Sequence, residues 1–208
     1  RQAVEMIREA NALLDDAAGA DDAYAQSIKA SVRDPHLMQA AVALVEGKLA
    51  IAEQVLRERL RAAPTDVAAI RMLAEVGARL GRFADAEKLL RRCLELAPSF
   101  HAARHNYAIV LHRESKSAEA LRQLDVLLKA EPDNPSYLFL RAAALARIGE
   151  YEEAIAIYRS VLAKYPNSAR GWLSLGHACK TAGLRAESIA AYERVIADAP
   201  HFGEAYWS

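Results

Sequence analysis

Six cations stand out in this chain for what they could do together. Arg71, Arg79, Arg113, Arg147, Arg170 and Lys180 fall in stretches of helical periodicity, accompanied by Glu75, His105, His112, Phe139 and His177. Residues three, four and seven apart lie on one face of a helix. Arg71, Glu75 and Arg79 therefore share one stripe, and Arg170, His177 and Lys180 another. A guanidinium can grip a carboxylate through two parallel hydrogen bonds. The chemistry on offer is recognition of an acidic segment; the alternative is ordinary solvated helix surface.

Patterns that make or break bonds are missing. There is no G-x-S-x-G elbow, no H-E-x-x-H, no phosphate-binding G-x-x-x-x-G-K and no G-x-G-x-x-G. These residues are thus expected to carry no enzyme activity and to need no cofactor. Glu152, Glu153 and Glu187 read as solvated. His101, His105 and His112 share roughly one helix face, and imidazoles at i and i+4 can chelate a transition metal. Their neighbours are Ala and Ile with no Cys beside them, so no metal is expected.

Bulk composition narrows the partners further. Lys plus Arg and Asp plus Glu are 27 each, a formal net charge of zero. No whole-chain field favours nucleic acid or anionic lipid. No apolar run reaches the ~18 residues that span a membrane, and no secretory signal is visible. Cys93 and Cys179 read as buried thiols rather than a bridge, because free Cys behaves as a small hydrophobe. Thiols fit a reducing cytoplasm, the compartment expected here.

The elements that must position these side chains repeat. Pro64, Pro98, Pro132, Pro166 and Pro200 recur every 34 residues, as do Ala52, Ala86, Ala120, Ala154 and Ser188. Gly47, Gly81, Gly149 and Gly183 keep the same step, with Ser115 in the open slot. A fixed period of this length means stacked helix pairs sharing a continuous core. Five repeats result, 33–66, 67–100, 101–134, 135–168 and 169–202, with a sixth begun at Gly203. In each, the Gly ends a first helix through its left-handed conformation, and the Pro stops a second. Small residues (Ala40, Ala74, Ala108, Ala142, Gly176) let the two helices approach. Leu56, Leu90, Leu124, Tyr158 and Tyr192 fill the core between them.

Residues 1–32 do not fit the frame. Val4, Ile7, Ala10 and Leu14 make one amphipathic stripe, and Tyr24, Ile28 and Val32 a shorter one. They are expected to form a helical cap over the first repeat, since terminal units must shield an open core. One helix cannot bury its face alone, so the polypeptide is expected to continue past Ser208.

With Trp172, Leu175, Gly176, Tyr192 and Pro200 in place, the chain from residue 33 on resembles the tetratricopeptide repeat (TPR) family. Repeat three departs most, with Arg104 for the aromatic and Ser115 for the Gly. Arg59 is also odd, and suggests that repeat one is partly exposed. The resemblance implies an all-α, right-handed α-solenoid of antiparallel helix pairs. It also implies that the first helix of each pair lines a concave groove. The groove positions then hold all six cations named above and two acids, Asp34 and Glu75, with Phe139 and the three histidines as neighbours. The expected partner is an acidic peptide or protein domain, or the chain's own C-terminal domain, bound by a monomer. Nucleic acid is not expected as a partner, because the aromatics sit mainly in core slots and leave few to stack bases, and no membrane is expected either. The Lys–Asn clamp of chaperone-binding TPRs is absent from the corresponding slots.

Finer wording points further. Residues 66–81, 176–183 and 202–208 resemble the repeat region of bacterial TPR–sulfotransferase proteins. That resemblance implies a non-catalytic arm for a PAPS-dependent domain lying beyond residue 208. No catalytic residue of such a domain falls within this sequence.

Overall fold

The structure, a computed structural model, describes residues 34–198, which form ten α-helices and no strand. These are α1 (Pro35–Val45), α2 (Leu49–Ala62), α3 (Val67–Arg79), α4 (Phe83–Leu96), α5 (His101–Arg113), α6 (Ser117–Ala130), α7 (Pro135–Arg147), α8 (Tyr151–Lys164), α9 (Ala169–Thr181) and α10 (Arg185–Asp198). The cap read over residues 1–32 and the sixth repeat from Gly203 lie outside the described residues. Two compact units divide the chain after Val110.

The two kinds of helix start differently. Helices α1, α3, α7 and α9 begin at a side-chain cap that satisfies orphan N–H groups of the first turn. Asp34 accepts from the amides of His36 and Leu37 at 2.9 and 3.3 Å, and Asp66 from those of Ala68 and Ala69. Asn134 accepts from Ser136 and Ser168 from Gly171. Pro35 and Pro135 occupy the first turn, where a missing N–H costs nothing. Helices α2, α4, α6 and α8 have no such cap. They follow so closely on the previous helix that the turn itself does the work. At the first of these turns Gly47 takes φ +72°, and the Lys48 amide donates back to the Ala43 carbonyl at 2.8 Å. That bond closes the helix end as a left-handed cap does. The third turn does the same with Ser115 at φ +62°.

Packing follows the small-residue slots. Ala40 and Ala52 are fully buried, where α1 and α2 meet. The core of the first unit includes Leu37, Leu44, Val55, Leu56, Met72 and Val76. That of the second includes Leu145, Ile155, Tyr158, Leu162, Leu175 and Cys179. Burying one such Leu contributes about 2 kcal/mol. Both cysteines are buried and unbridged; burial pushes the Cys93 thiol up to about 12, far from any reactive range. Arg59 has its own reason. It is half-buried and bonds the cap carboxylates of both Asp34, at 3.1 Å, and Asp66, at 2.9 Å.

Candidate functional site

In the first unit the predicted groove cations are already engaged. Glu75 receives Arg71 at 3.4 Å and Arg79 at 2.6 Å, each one helical turn away. Arg79 also donates to the Leu44 carbonyl at 2.7 Å, in the last turn of α1. That bond satisfies a helix-end acceptor and ties α3 to α1. The Arg71 guanidinium rests 6.0 Å from the centre of the Phe100 ring, a cation–π distance. His105 is half-buried, and desolvation lowers its pKa. This stripe is built as a brace between helices.

The second unit is different. An open cleft of about 350 Å³ is lined by His112, Ala143, Ala146, Arg147, Tyr151, Tyr158, Ser174, His177, Ala178 and Thr181. The repeat frame explains why these meet. His112 and Arg147 come from the last turns of α5 and α7, Tyr151 opens α8, and Ser174, His177, Ala178 and Thr181 lie along one side of α9. Alanines on α7 and α9 keep the walls short. No carboxylate is among the lining residues.

The electrostatics are correspondingly one-sided. Burial, with Arg147 and Arg113 close by, pushes the His112 imidazole down to about 4. A neutral imidazole is thus held among permanent cations. Its Nδ1 is buried with no hydrogen-bond partner, so the other ring nitrogen is the one left to meet a ligand. A ring proton on Nε2 would spare the buried Nδ1 an unpaired N–H. Arg147 donates to the Ser115 hydroxyl at 3.3 Å. Burial raises the Tyr158 phenol to about 12, so it stays protonated. The Ser174 and Thr181 hydroxyls donate back to the Arg170 and His177 carbonyls, both at 2.9 Å, which leaves their lone pairs as acceptors. The His177 ring meets Tyr192 edge-on at 5.6 Å.

Of the residues singled out from the sequence, the cleft unites His112, Arg147 and His177. Arg113 is exposed beside it and acts on His112 through its charge. Arg170 and Lys180 are exposed on α9 and do not line the cleft. Phe139 is half-buried against Tyr158, with ring centres 6.2 Å apart, and packs under the cleft as part of the core. The sequence reading missed Tyr151, Tyr158 and Ser174. Tyr158 fills the core slot as expected, yet one edge of it reaches the cleft. A purely periodic reading assigns each residue a single face and has no signal for that. The site can bind and orient a ligand. Among the described residues no group of three or more His, Cys, Asp or Glu could hold a metal ion, and no helix is long and apolar enough to cross a membrane.

Comparison with known proteins agrees with this architecture. Residues 36–166 match the family model described as the cytochrome c-type biogenesis protein H TPR domain, and residues 145–208 match a tetratricopeptide repeat model. Neither concerns a sulfotransferase. No curated protein matches the sequence. Among solved structures, MamA from Desulfovibrio magneticus RS-1 is 18% identical with a TM-score of 0.69, over 78% of this chain and 92% of its own. YrrB, a TPR protein with an unusual peptide-binding site, is 17% identical with a TM-score of 0.66, over 88% and 96%. A tetratricopeptide repeat protein from Parabacteroides merdae is 20% identical with a TM-score of 0.68, over 87% and 70%. At these identities the likeness is one of fold. The longer family match covers more than half of the sequence, and the chain belongs to the tetratricopeptide repeat family, through the TPR domain of cytochrome c-type biogenesis protein H.

Proposed function

We propose that this chain is a protein-interaction scaffold whose ligand site is the cleft of the second unit, and that the ligand is an acidic segment of a partner protein. One observation carries the reading: Arg147 lines an open cleft that no carboxylate lines, Arg113 stands beside it, and burial together with these two charges depresses His112. Among the described residues neither Arg113 nor Arg147 is paired with a carboxylate, whereas Arg71 and Arg79 of the first unit share Glu75. A carboxylate entering the cleft would meet Arg147, the His112 N–H and the phenols of Tyr151 and Tyr158. The alanines would take the apolar part of the ligand. The arm of a sulfotransferase, the other reading of the sequence, has no observation here that favours it.

Calorimetric titration tests the proposal. The probes are a short peptide alternating Glu with Leu and its Lys–Leu counterpart. The acidic peptide should bind, weaken as salt shortens the ~10 Å screening length, and lose about tenfold or more on Arg147→Glu. Equal binding of both peptides, or indifference to Arg147→Glu, would overturn the assignment.

A further inference from the structure

Val42 breaks a rule that the other first helices keep. Residues 42, 76, 110, 144 and 178 stand one repeat apart and take the same place on α1, α3, α5, α7 and α9. Val76, Val110, Ala144 and Ala178 are each 4% exposed or less, while Val42 is 56% exposed. The cores say what covers the others. Val76 shares a cluster with Leu44 of α1 and with Val55 and Leu56 of α2. Ala178 shares one with Leu145 of α7 and with Ile155 and Leu162 of α8. In both units the preceding helix pair shields this place.

The bare area is wider than one side chain. Met38 is 57% exposed and Val45 87%, although Met72, one repeat after Met38, is 6% exposed. Met38, Ala41, Val42 and Val45 follow the i, i+3, i+4, i+7 spacing of a helix-docking stripe. It runs the length of a short helix, beside the buried residues Leu37, Ala40 and Leu44.

We propose that residues 21–33 of the chain itself dock on this stripe and shield it as the preceding helix pair shields α3, with Tyr24 and Ile28 against Met38 and Val42. Three observations select this occupant. Tyr24 and Ile28 are spaced four apart, which puts them on one face of a helix ending near residue 30, with Val32 in the turn that follows. The connection is right: α2, α4, α6 and α8 end at Ala62, Leu96, Ala130 and Lys164, four residues before the next helix begins. A segment ending near residue 30 joins α1 through the same kind of turn. The tether is the third, because a short covalent link raises effective concentration to the millimolar range and favours the chain's own segment over a second copy.

Hydrogen exchange on the whole 208-residue chain tests this, in the wild type, Val42→Asp and Ile28→Asp, with sedimentation run in parallel. In the wild type the amides of residues 21–33 should exchange about tenfold or more slower than an unstructured chain. Both substitutions should remove that protection and leave α3 and α4 unchanged, and all three proteins should sediment as monomers. Unprotected amides at 21–33 in the wild type would overturn the proposal, as would protection that survives both substitutions. A concentration-dependent wild-type dimer that Val42→Asp dissolves would assign the stripe to a second copy instead.

Discussion

The Ser115 hydroxyl accepts a hydrogen bond from Arg147 at 3.3 Å, one repeat along. Ser115 holds φ +62° in the slot that Gly47, Gly81, Gly149 and Gly183 fill elsewhere. A non-glycine residue in that conformation carries about 1 kcal/mol of strain or more, so the side chain is kept against a cost. Ser115→Gly should therefore stabilise the second unit by about 0.5 kcal/mol, the relief of strain being partly offset by unfolded-chain entropy. It should also loosen Arg147 and weaken the acidic peptide. Urea denaturation and peptide titration on Ser115→Gly and Ser115→Ala separate the two effects. A glycine variant that is more stable and binds equally well would mean that the hydroxyl does nothing for the cleft.

Arg59 stands where the family pattern has alanine, and joins the cap carboxylates of Asp34 and Asp66. Arg59→Ala restores the pattern residue, yet it should destabilise the first unit by about 1–2 kcal/mol, because two half-buried charge-assisted contacts are lost together. The loss should appear in hydrogen exchange as faster opening at the starts of α1 and α3. A variant as stable as the wild type would show that the two aspartates cap their helices unaided.

How much of this was legible in the sequence depends on what repeats. The glycine and proline spacing marks where the helices turn and stop, because those residues act through their own backbones. Asp66, Asn134 and Ser168 are readable as caps for the same reason. The cleft was legible only in part. A stripe of positions says that Arg79 and Arg147 are equivalent groove cations and that Glu75 lies one turn from the first, but not that no carboxylate lines the cleft beside the second. Nor does it show that Phe139 packs inward against Tyr158. Those outcomes depend on neighbours from other helices, which one-dimensional periodicity does not record.

Gly176 sits at a place where the other first helices carry alanine. A Cβ there would collide with Cε1 of the Tyr192 ring. Ala142 coexists with Tyr158, so an aromatic partner alone does not demand glycine; here the ring edge itself occupies the space. Gly176→Ala should cost about 1–3 kcal/mol through overpacking. Tyr192→Leu in the same chain should recover part of it, since Leu faces alanine in the first three pairs. Equal losses with and without Tyr192→Leu, measured by denaturation, would place the strain elsewhere.

The His112 imidazole gives the second unit a pH dependence of known sign. Its ordinary value is 6.5; in the fold, burial and the charges of Arg147 and Arg113 bring it to about 4. Between those values the unfolded chain binds a proton that the folded one sheds, so acid favours unfolding. The stability tied to a neutral His112 is complete above pH 6.5 and is lost as pH falls toward 4. The loss should be about 1–2 kcal/mol after allowing for screening at the ring's open edge. His112→Asn should flatten that part of the curve, whereas carboxylate protonation is common to both proteins and cancels in the difference. Urea denaturation at pH 4.0, 5.0, 6.0 and 7.0 measures it. Trp172, half-buried on α9 with its indole donating to the Pro166 carbonyl at 2.7 Å, is the reporter. Parallel curves for wild type and variant would mean that His112 titrates normally, contrary to its burial and its cationic neighbours.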